Sequence, residues 1–129
     1  AGLHAGTDIT GFGLVGHANE MAARSGLGVR IDAAAVPILS GARSHAERGV
    51  SFGGLERNTA FYVGEGHVRF ADGVDDATRR LLLDPQTSGG LLVGVPAAHA
   101  ADWERSRERH GVRAWKVGEA VSGRGVTVV

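Results

Sequence analysis

Glycine placement constrains this chain more than any other feature: 21 of its 129 residues are glycine, and they are dispersed rather than massed. Massed glycine reads as linker or low complexity. Here the glycines stand where helices and turns should end (Gly26, Gly41, Gly49, Gly111) or gather in four short segments, Gly11 to Gly16, Gly53-Gly54, Gly89-Gly90 and Gly123 to Gly125. That distribution predicts backbone requirements at particular points of a folded unit, such as left-handed turns and close approaches of one main chain to another. With 43% hydrophobic residues there is material for one core, so residues 1–129 are expected to form a single domain.

Apolar periodicity gives the elements. From Thr10 to Ser25, Leu14, Val15, Ala18, Met21 and Ala22 recur at helical spacing, and Gly26 supplies a stop. Gly28 to Asp32 alternates Val29 and Ile31 with Arg30 and Asp32, the period of a half-buried strand. A second helix is expected over Pro37 to Arg48, with proline in its first turn and Gly49 ending it. Ser51 to Asn58 reads as a turn, Thr59 to Val63 as helix or strand, and His67 to Phe70 as a strand. Asp75 and Asp76 suit the start of a short helix through Leu83, which Pro85 ends by restricting Asp84. The continuous apolar run Leu91 to Val95 predicts a central strand covered on both faces. Pro96 to His110 is expected to be helical with an alanine and Trp103 face. Ala114 to Val121 and Gly125 to Val129 are expected to form a terminal hairpin around Ser122, Gly123 and Arg124. Helices and strands interleave without a strict βαβ rhythm, which predicts an α+β fold: a mixed, largely antiparallel sheet with packed helices.

Several function classes recede on composition. Fourteen basic residues balance fourteen acidic ones, which leaves no electrostatic footprint for nucleic acid or an anionic lipid surface. No apolar run approaches the roughly 20 residues of a membrane span, and the N-terminal AGLHAGTD lacks the pattern of a secretory signal. Without cysteine there is no disulfide framework and no thiolate site, and a cytoplasmic setting is expected. The six histidines (His4, His17, His45, His67, His99, His110) show no paired spacing for a helical zinc site. His17 is expected to be a hydrogen-bonded packing residue. No GxxxxGK[ST] phosphate loop occurs.

Three segments carry chemistry. Thr7-Asp8-Ile9-Thr10-Gly11-Phe12-Gly13-Leu14 stands where a loop enters the first helix, a place with free backbone amides and the positive end of a dipole. A phosphate would be welcome there, with Thr7, Thr10, Gly11 and Gly13 beside it. Asp8 would help hold Mg²⁺, which is commonly bound by one or two carboxylates together with phosphate oxygens and waters. One aspartate does not complete such a site. The other reading, toward which the pattern by itself leans, makes Asp8 or Thr10 a helix cap and the glycines packing devices. Asp84-Pro85-Gln86-Thr87-Ser88-Gly89-Gly90-Leu91-Leu92 is either a polar ligand or domain contact, or a turn in which Asp84 and Ser88 bond local backbone. In Gly53-Gly54-Leu55-Glu56-Arg57-Asn58, Arg57 suits either an anion clamp or an ordinary ion pair.

TDITGFGLVGH at residues 7 to 17, GG followed by RN at 53 to 58, and DPQTSGGLL at 84 to 92 together resemble, in order and spacing, the signature of the selenophosphate synthetase (selenide, water dikinase) family. The first motif is shared in looser form with aminoimidazole ribonucleotide synthetases, thiamine monophosphate kinases and hydrogenase maturation factors; DPQTSGG is the more specific element. The resemblance implies a three-layer α+β C-terminal domain of that superfamily. It further implies a whole enzyme that converts ATP and selenide to selenophosphate, AMP and orthophosphate, requires Mg²⁺ and works as a homodimer. By the same resemblance Asp8 contributes to binding the metal ions that hold ATP phosphates. The family's N-terminal domain, with its reactive Cys or selenocysteine, its nearby Lys and its further metal-binding aspartates, has no counterpart here. The chain is therefore expected to be an inactive fragment with no catalytic residue of its own. The alternatives are another ATP-using member of the superfamily and a non-catalytic binding or dimerisation module.

Overall fold

The computed structural model describes residues 3–129. Strand β1 (Ala5–Asp8) leads through a loop into α1 (Gly13–Ser25), followed by β2 (Gly28–Ile31) and a 3₁₀ turn (Ala33–Ala35). Helices α2 (Ala42–Glu47) and α3 (Gly53–Asn58) follow, then a π-helical turn (Thr59–Val63), β3 (Val68–Phe70) and α4 (Asp76–Leu83). The chain closes with β4 (Leu91–Gly94), α5 (Ala100–Arg109), β5 (Gly118–Val121) and β6 (Gly125–Val128). The α+β class holds.

The strands form two sheets, β1 against β4 and a four-stranded sheet in the order β3-β6-β2-β5. Pairing is mixed. β1–β4 and β2–β5 are antiparallel, whereas β2–β6 and β3–β6 are parallel, so antiparallel pairs make up half of the ladders instead of most. Helix α1 lies against β2, β3 and β6 and also meets α4 and β1. Its apolar stripe explains the placement: Val15 and Ala18 are fully buried in a cluster with Ile31, Val68, Leu82, Val126 and Val128. Residues from α1, β2, β3, α4 and β6 thus share one core.

Four expectations are corrected. β5 and β6 do not pair as a hairpin, because β2 runs between them. Val126 and Val128 are 2% and 0% exposed and need covered positions, which an edge hairpin strand would not give. The Ser122–Arg124 link therefore arches across the Gly28 end of β2. A side chain at Gly28 would crowd it, since an added Cβ would stand 3.3 Å from the Arg124 nitrogen and the Gly125 oxygen. Leu91–Gly94 is a strand but not a central one: it pairs only with β1, and Leu91 is 78% exposed. An apolar run reports a taste for burial without saying which neighbour arrives to cover it. Gly53–Asn58 is helix, not turn, as packing of Leu55 and Asn58 into the interior overrides the poor propensity of paired glycines. The helix expected from Pro37 is shorter, because Gly41 adopts a left-handed conformation (φ 83°) and becomes its cap.

Smaller shifts occur at other ends. α1 starts at Gly13, and the stretch before it is a loop closed by the Gly13 N–H donating to the Thr10 carbonyl at 3.1 Å. The Pro96–His110 helix divides into a 3₁₀ turn (Ala97–His99) and α5, which buries no residue, so the alanine and Trp103 face is not a core face. α4 begins as expected, with Asp75 accepting from the Thr78 N–H at 2.9 Å. Among the described residues every positive φ belongs to a glycine, as the dispersed glycine pattern implies.

Candidate functional site

The three motif segments, distant in sequence, meet at the N-terminal end of α1. β1 runs antiparallel to β4 with Thr7 opposite Leu92 and Asp8 opposite Leu91, which lays the first motif along the third. Just beyond the ladder the Ile9 N–H donates to the Gly90 carbonyl at 2.9 Å, and the Gln86 N–H donates to the Thr10 carbonyl at 2.9 Å. The second motif enters through Asn58. Its buried side-chain amide donates to the Gly11 carbonyl and to the Leu83 carbonyl, each at 2.9 Å.

Thr10 is the hub of the first loop. Its N–H donates to His17 Nε2 at 3.0 Å, its hydroxyl lies 3.1 Å from the same nitrogen, and its carbonyl receives the Gly13 and Gln86 amides. With Nε2 accepting the Thr10 amide, the buried His17 is the latch between loop and helix, its ring centroid 5.2 Å from that of Phe12. This is the packing role expected of His17. Gly13 is buried against the Leu83 and Asp84 backbone: a Cβ there would stand 2.8 Å from the Leu83 carbonyl carbon and 3.0 Å from the Asp84 oxygen. Thr7 turns its hydroxyl to the Asp8 carbonyl at 3.0 Å. Of the residues singled out as phosphate neighbours, Gly11 is exposed, Thr10 is committed to the latch, and Gly13 faces α4.

Asp8 is exposed at the end of β1, and its carboxylate joins no hydrogen bond or ion pair among the described residues. It is not a helix cap. The α1 N-terminus has Phe12 at the cap position, with no side-chain capping bond and no acidic residue in its first turn, so the capping reading of Asp8 and Thr10 is overturned. Both are placed wrongly for it, Asp8 by the sheet and Thr10 by His17. Asp84 is half-buried and receives Gln86 Nε2 at 2.8 Å; burial holds its carboxyl above the usual value, with the Gln86 bond pulling the other way.

Arg57 is exposed on α3 and makes no ion pair with Glu56, which instead receives the Ser51 hydroxyl. No group of three His, Cys, Asp or Glu among the described residues stands close enough to hold a metal. A groove of about 770 Å³ opens elsewhere, between α2, α4 and the 3₁₀ turn, and shares no residue with the three motifs. Sequence reasoning gave Asn58 no role. The signal was its place one residue after Arg57 in the second motif, but nothing in one dimension shows a side chain bridging two carbonyls.

Fold and site together define a mixed α+β arrangement in which three glycine-rich segments are tied together beside the Asp8 carboxylate, which has no partner among the described residues. The chain belongs to the AIR synthase related protein family, whose C-terminal domain model matches residues 1–129. It is similar to the selenide, water dikinase of Pseudomonas straminea, with 53% identity over 92 residues, 71% of this chain and 25% of that protein. It is also similar to the selenide, water dikinase of Cronobacter sakazakii, 41% identical over 124 residues, 96% of this chain and 34% of that protein. The chain thus spans a quarter to a third of the length of these curated relatives. Among solved structures, thiamine-monophosphate kinase from Stenotrophomonas maltophilia K279a shares the fold at a TM-score of 0.58 and 22% identity, covering 98% of this chain and 31% of that one. No helix among the described residues is long and apolar enough to cross a membrane.

Proposed function

We propose that this chain is the C-terminal domain of a selenide, water dikinase that forms selenophosphate, AMP and orthophosphate from selenide and ATP. We further propose that Asp8 is its contribution to a composite Mg²⁺–nucleotide site. The observation that carries the reading is the Asp8 carboxylate, exposed and unpaired on the surface where the three motifs converge. The similarity to two proteins named selenide, water dikinase supports this choice of reaction. The donor chemistry fits. Mg²⁺ takes carboxylate oxygens while retaining waters and phosphate oxygens, and Asp8 offers such an oxygen pair without first breaking an internal bond. With no three-residue ligand cluster among the described residues, the domain would supply one ligand rather than a whole cage.

When bound, Mg²⁺ would offset negative charge on the phosphate oxygens during phosphoryl transfer. The chain's own part is to hold the Asp8 oxygens at a fixed place. β1–β4 pairing, the Thr10–His17 latch and the Asn58 bridge all restrain the backbone on either side of that carboxylate. The remaining ligands and the reactive groups belong in this reading to an N-terminal domain, within a cytoplasmic homodimer.

The test is Asp8→Asn in the full-length enzyme, with selenide-dependent AMP formation followed against Mg²⁺ concentration. Losing a charge-stabilising group of this kind typically costs about 10²- to 10³-fold in rate. Expected, therefore, is a fall of that order together with a higher half-saturating Mg²⁺. Unchanged ATP consumption and unchanged metal dependence would refute the role of Asp8. Full ATP turnover without selenide, with another phosphoryl acceptor, would refute the acceptor.

A further inference from the structure

Asn58 is 7% exposed, and among the described residues it is the one side chain of the second motif that donates to backbone outside its own helix. Its two amide hydrogens go to carbonyls far apart in the chain: Gly11, in the loop between β1 and α1, and Leu83, the last residue of α4. The loop it holds has two further anchors, Thr10 N–H to His17 Nε2 at 3.0 Å and Gln86 N–H to the Thr10 carbonyl at 2.9 Å. Gly11 itself is exposed, and no described backbone bond engages its carbonyl, so the Asn58 amide is what restrains the loop at that point. Three residues earlier stands Asp8.

From this geometry we infer that Asn58 is a positioning residue for the proposed metal–nucleotide site: it fixes the Thr10–Gly13 loop to the end of α4 and thereby sets where the Asp8 carboxylate is held. The inference rests on the reading of Asp8 given above for its functional half only. A primary amide suits the position for a definite reason. Both acceptors are carbonyl oxygens, so a side chain with two N–H groups satisfies them together. Aspartate would set oxygen against oxygen, and alanine would leave two inward-facing carbonyls without a donor. Serine is short enough to admit a water that partly restores the bridge.

Two measurements test the role. In the chain itself, amide hydrogen exchange is compared for Asn58→Ala and for Val128→Ala, a core substitution in β6 that removes no hydrogen bond to the loop. The Thr10, Gly13 and Gln86 amides should exchange at least about tenfold faster in Asn58→Ala than in the parent after normalisation to β2 amides, a local opening of the kind exchange detects. In Val128→Ala the same three amides should move only in step with β2. In the full-length enzyme, Asn58→Ala should raise the half-saturating Mg²⁺ at least about fivefold while most of the maximal rate survives at saturating metal, and Asn58→Ser should recover part of the shift. If Asn58→Ala does not fold, Asn58→Ser carries both measurements with smaller expected changes. Loop amides no faster than β2 would overturn the inference whatever catalysis does. Faster loop exchange with unaltered metal dependence would also overturn it, reducing Asn58 to a structural tie, while Asp8→Asn tests the metal reading independently.

Discussion

Replacing Gly13 by alanine tests the idea that main-chain proximity, rather than looseness, is what the first glycine motif provides. Gly13 has φ 68°, and an added Cβ would stand 2.8 Å from the Leu83 carbonyl carbon, 2.9 Å from the Leu83 oxygen and 3.0 Å from the Asp84 oxygen. Two costs therefore add. An L-residue in the left-handed region loses about 1–2 kcal/mol. Forcing a methyl group into packed backbone costs about 1–3 kcal/mol more, because α1 and the end of α4 must move apart. The sum, about 2–5 kcal/mol, is a large part of the ~5–15 kcal/mol that holds a typical domain together. Gly26 is the internal control: it has nearly the same φ, 67°, but nothing within 4 Å of an added Cβ, so Gly26→Ala should lose only the conformational part, about 1–2 kcal/mol. Urea unfolding followed by far-ultraviolet circular dichroism reads both. With a slope of about 1–3 kcal/mol per molar urea, Gly13→Ala should unfold at a midpoint lower than that of Gly26→Ala by roughly 1 M. Coincident midpoints would show that the close approach of α1 to Leu83 and Asp84 is not a constraint, and the account of the motif would fail.

Two titrations examine the packing of Tyr62 and the capping of α4. Tyr62 is the chain's single tyrosine, and burial, with a smaller contribution from Glu20, pushes its phenol up to about 12. The folded value is raised for an acid, so the associated stability is present below the ordinary value of 10 and is lost as pH climbs from there toward 12. Phenolate absorbance should accordingly rise with a midpoint near 12, and a midpoint near 10 would mean that Tyr62 is not buried against α1 and Phe12. Asp75 caps α4 and is held down to about 2, chiefly by the Thr78 amide and then by Arg43, whose Nη2 is 2.9 Å away. A depressed carboxyl contributes stability above its unfolded value of 3.8 that disappears as pH falls toward 2. In a carboxyl-carbon NMR titration Arg43→Gln should move the Asp75 midpoint only part of the way back to 3.8; complete return would show that the ion pair, not the cap, is the main cause.

Much of the element content was legible because local rules decide it. The stripe Leu14, Val15, Ala18 and Ala22 forms α1, Gly26 stops it in a left-handed cap, and Asp75 starts α4. The failures fall where a neighbour decides. Gly53–Asn58 became helix because Leu55 and Asn58 had somewhere to be buried, and β4 remained half open because only β1 came to its side. The neighbouring pair β5 and β6 gave way to a third strand between them. The hairpin expectation assigned β5 the partner nearest in sequence, whereas apolar burial selects the partner nearest in space.

The candidate site divides along the same line. Asp8, the glycines around Phe12 and the DPQTSGG segment could be picked out in one dimension, because residue chemistry and backbone permissiveness are properties of the sequence. By itself the sequence determined the family, the α+β class, and the presence of one carboxylate next to a helix start. Only the tertiary structure decided that this carboxylate caps nothing, that His17 and Asn58 fasten the loop beside it, and that three segments spread over more than 80 residues form one surface. The reason is that hydrogen bonds between distant main chains depend on which backbones the core brings within about 3 Å, and no local pattern encodes that distance.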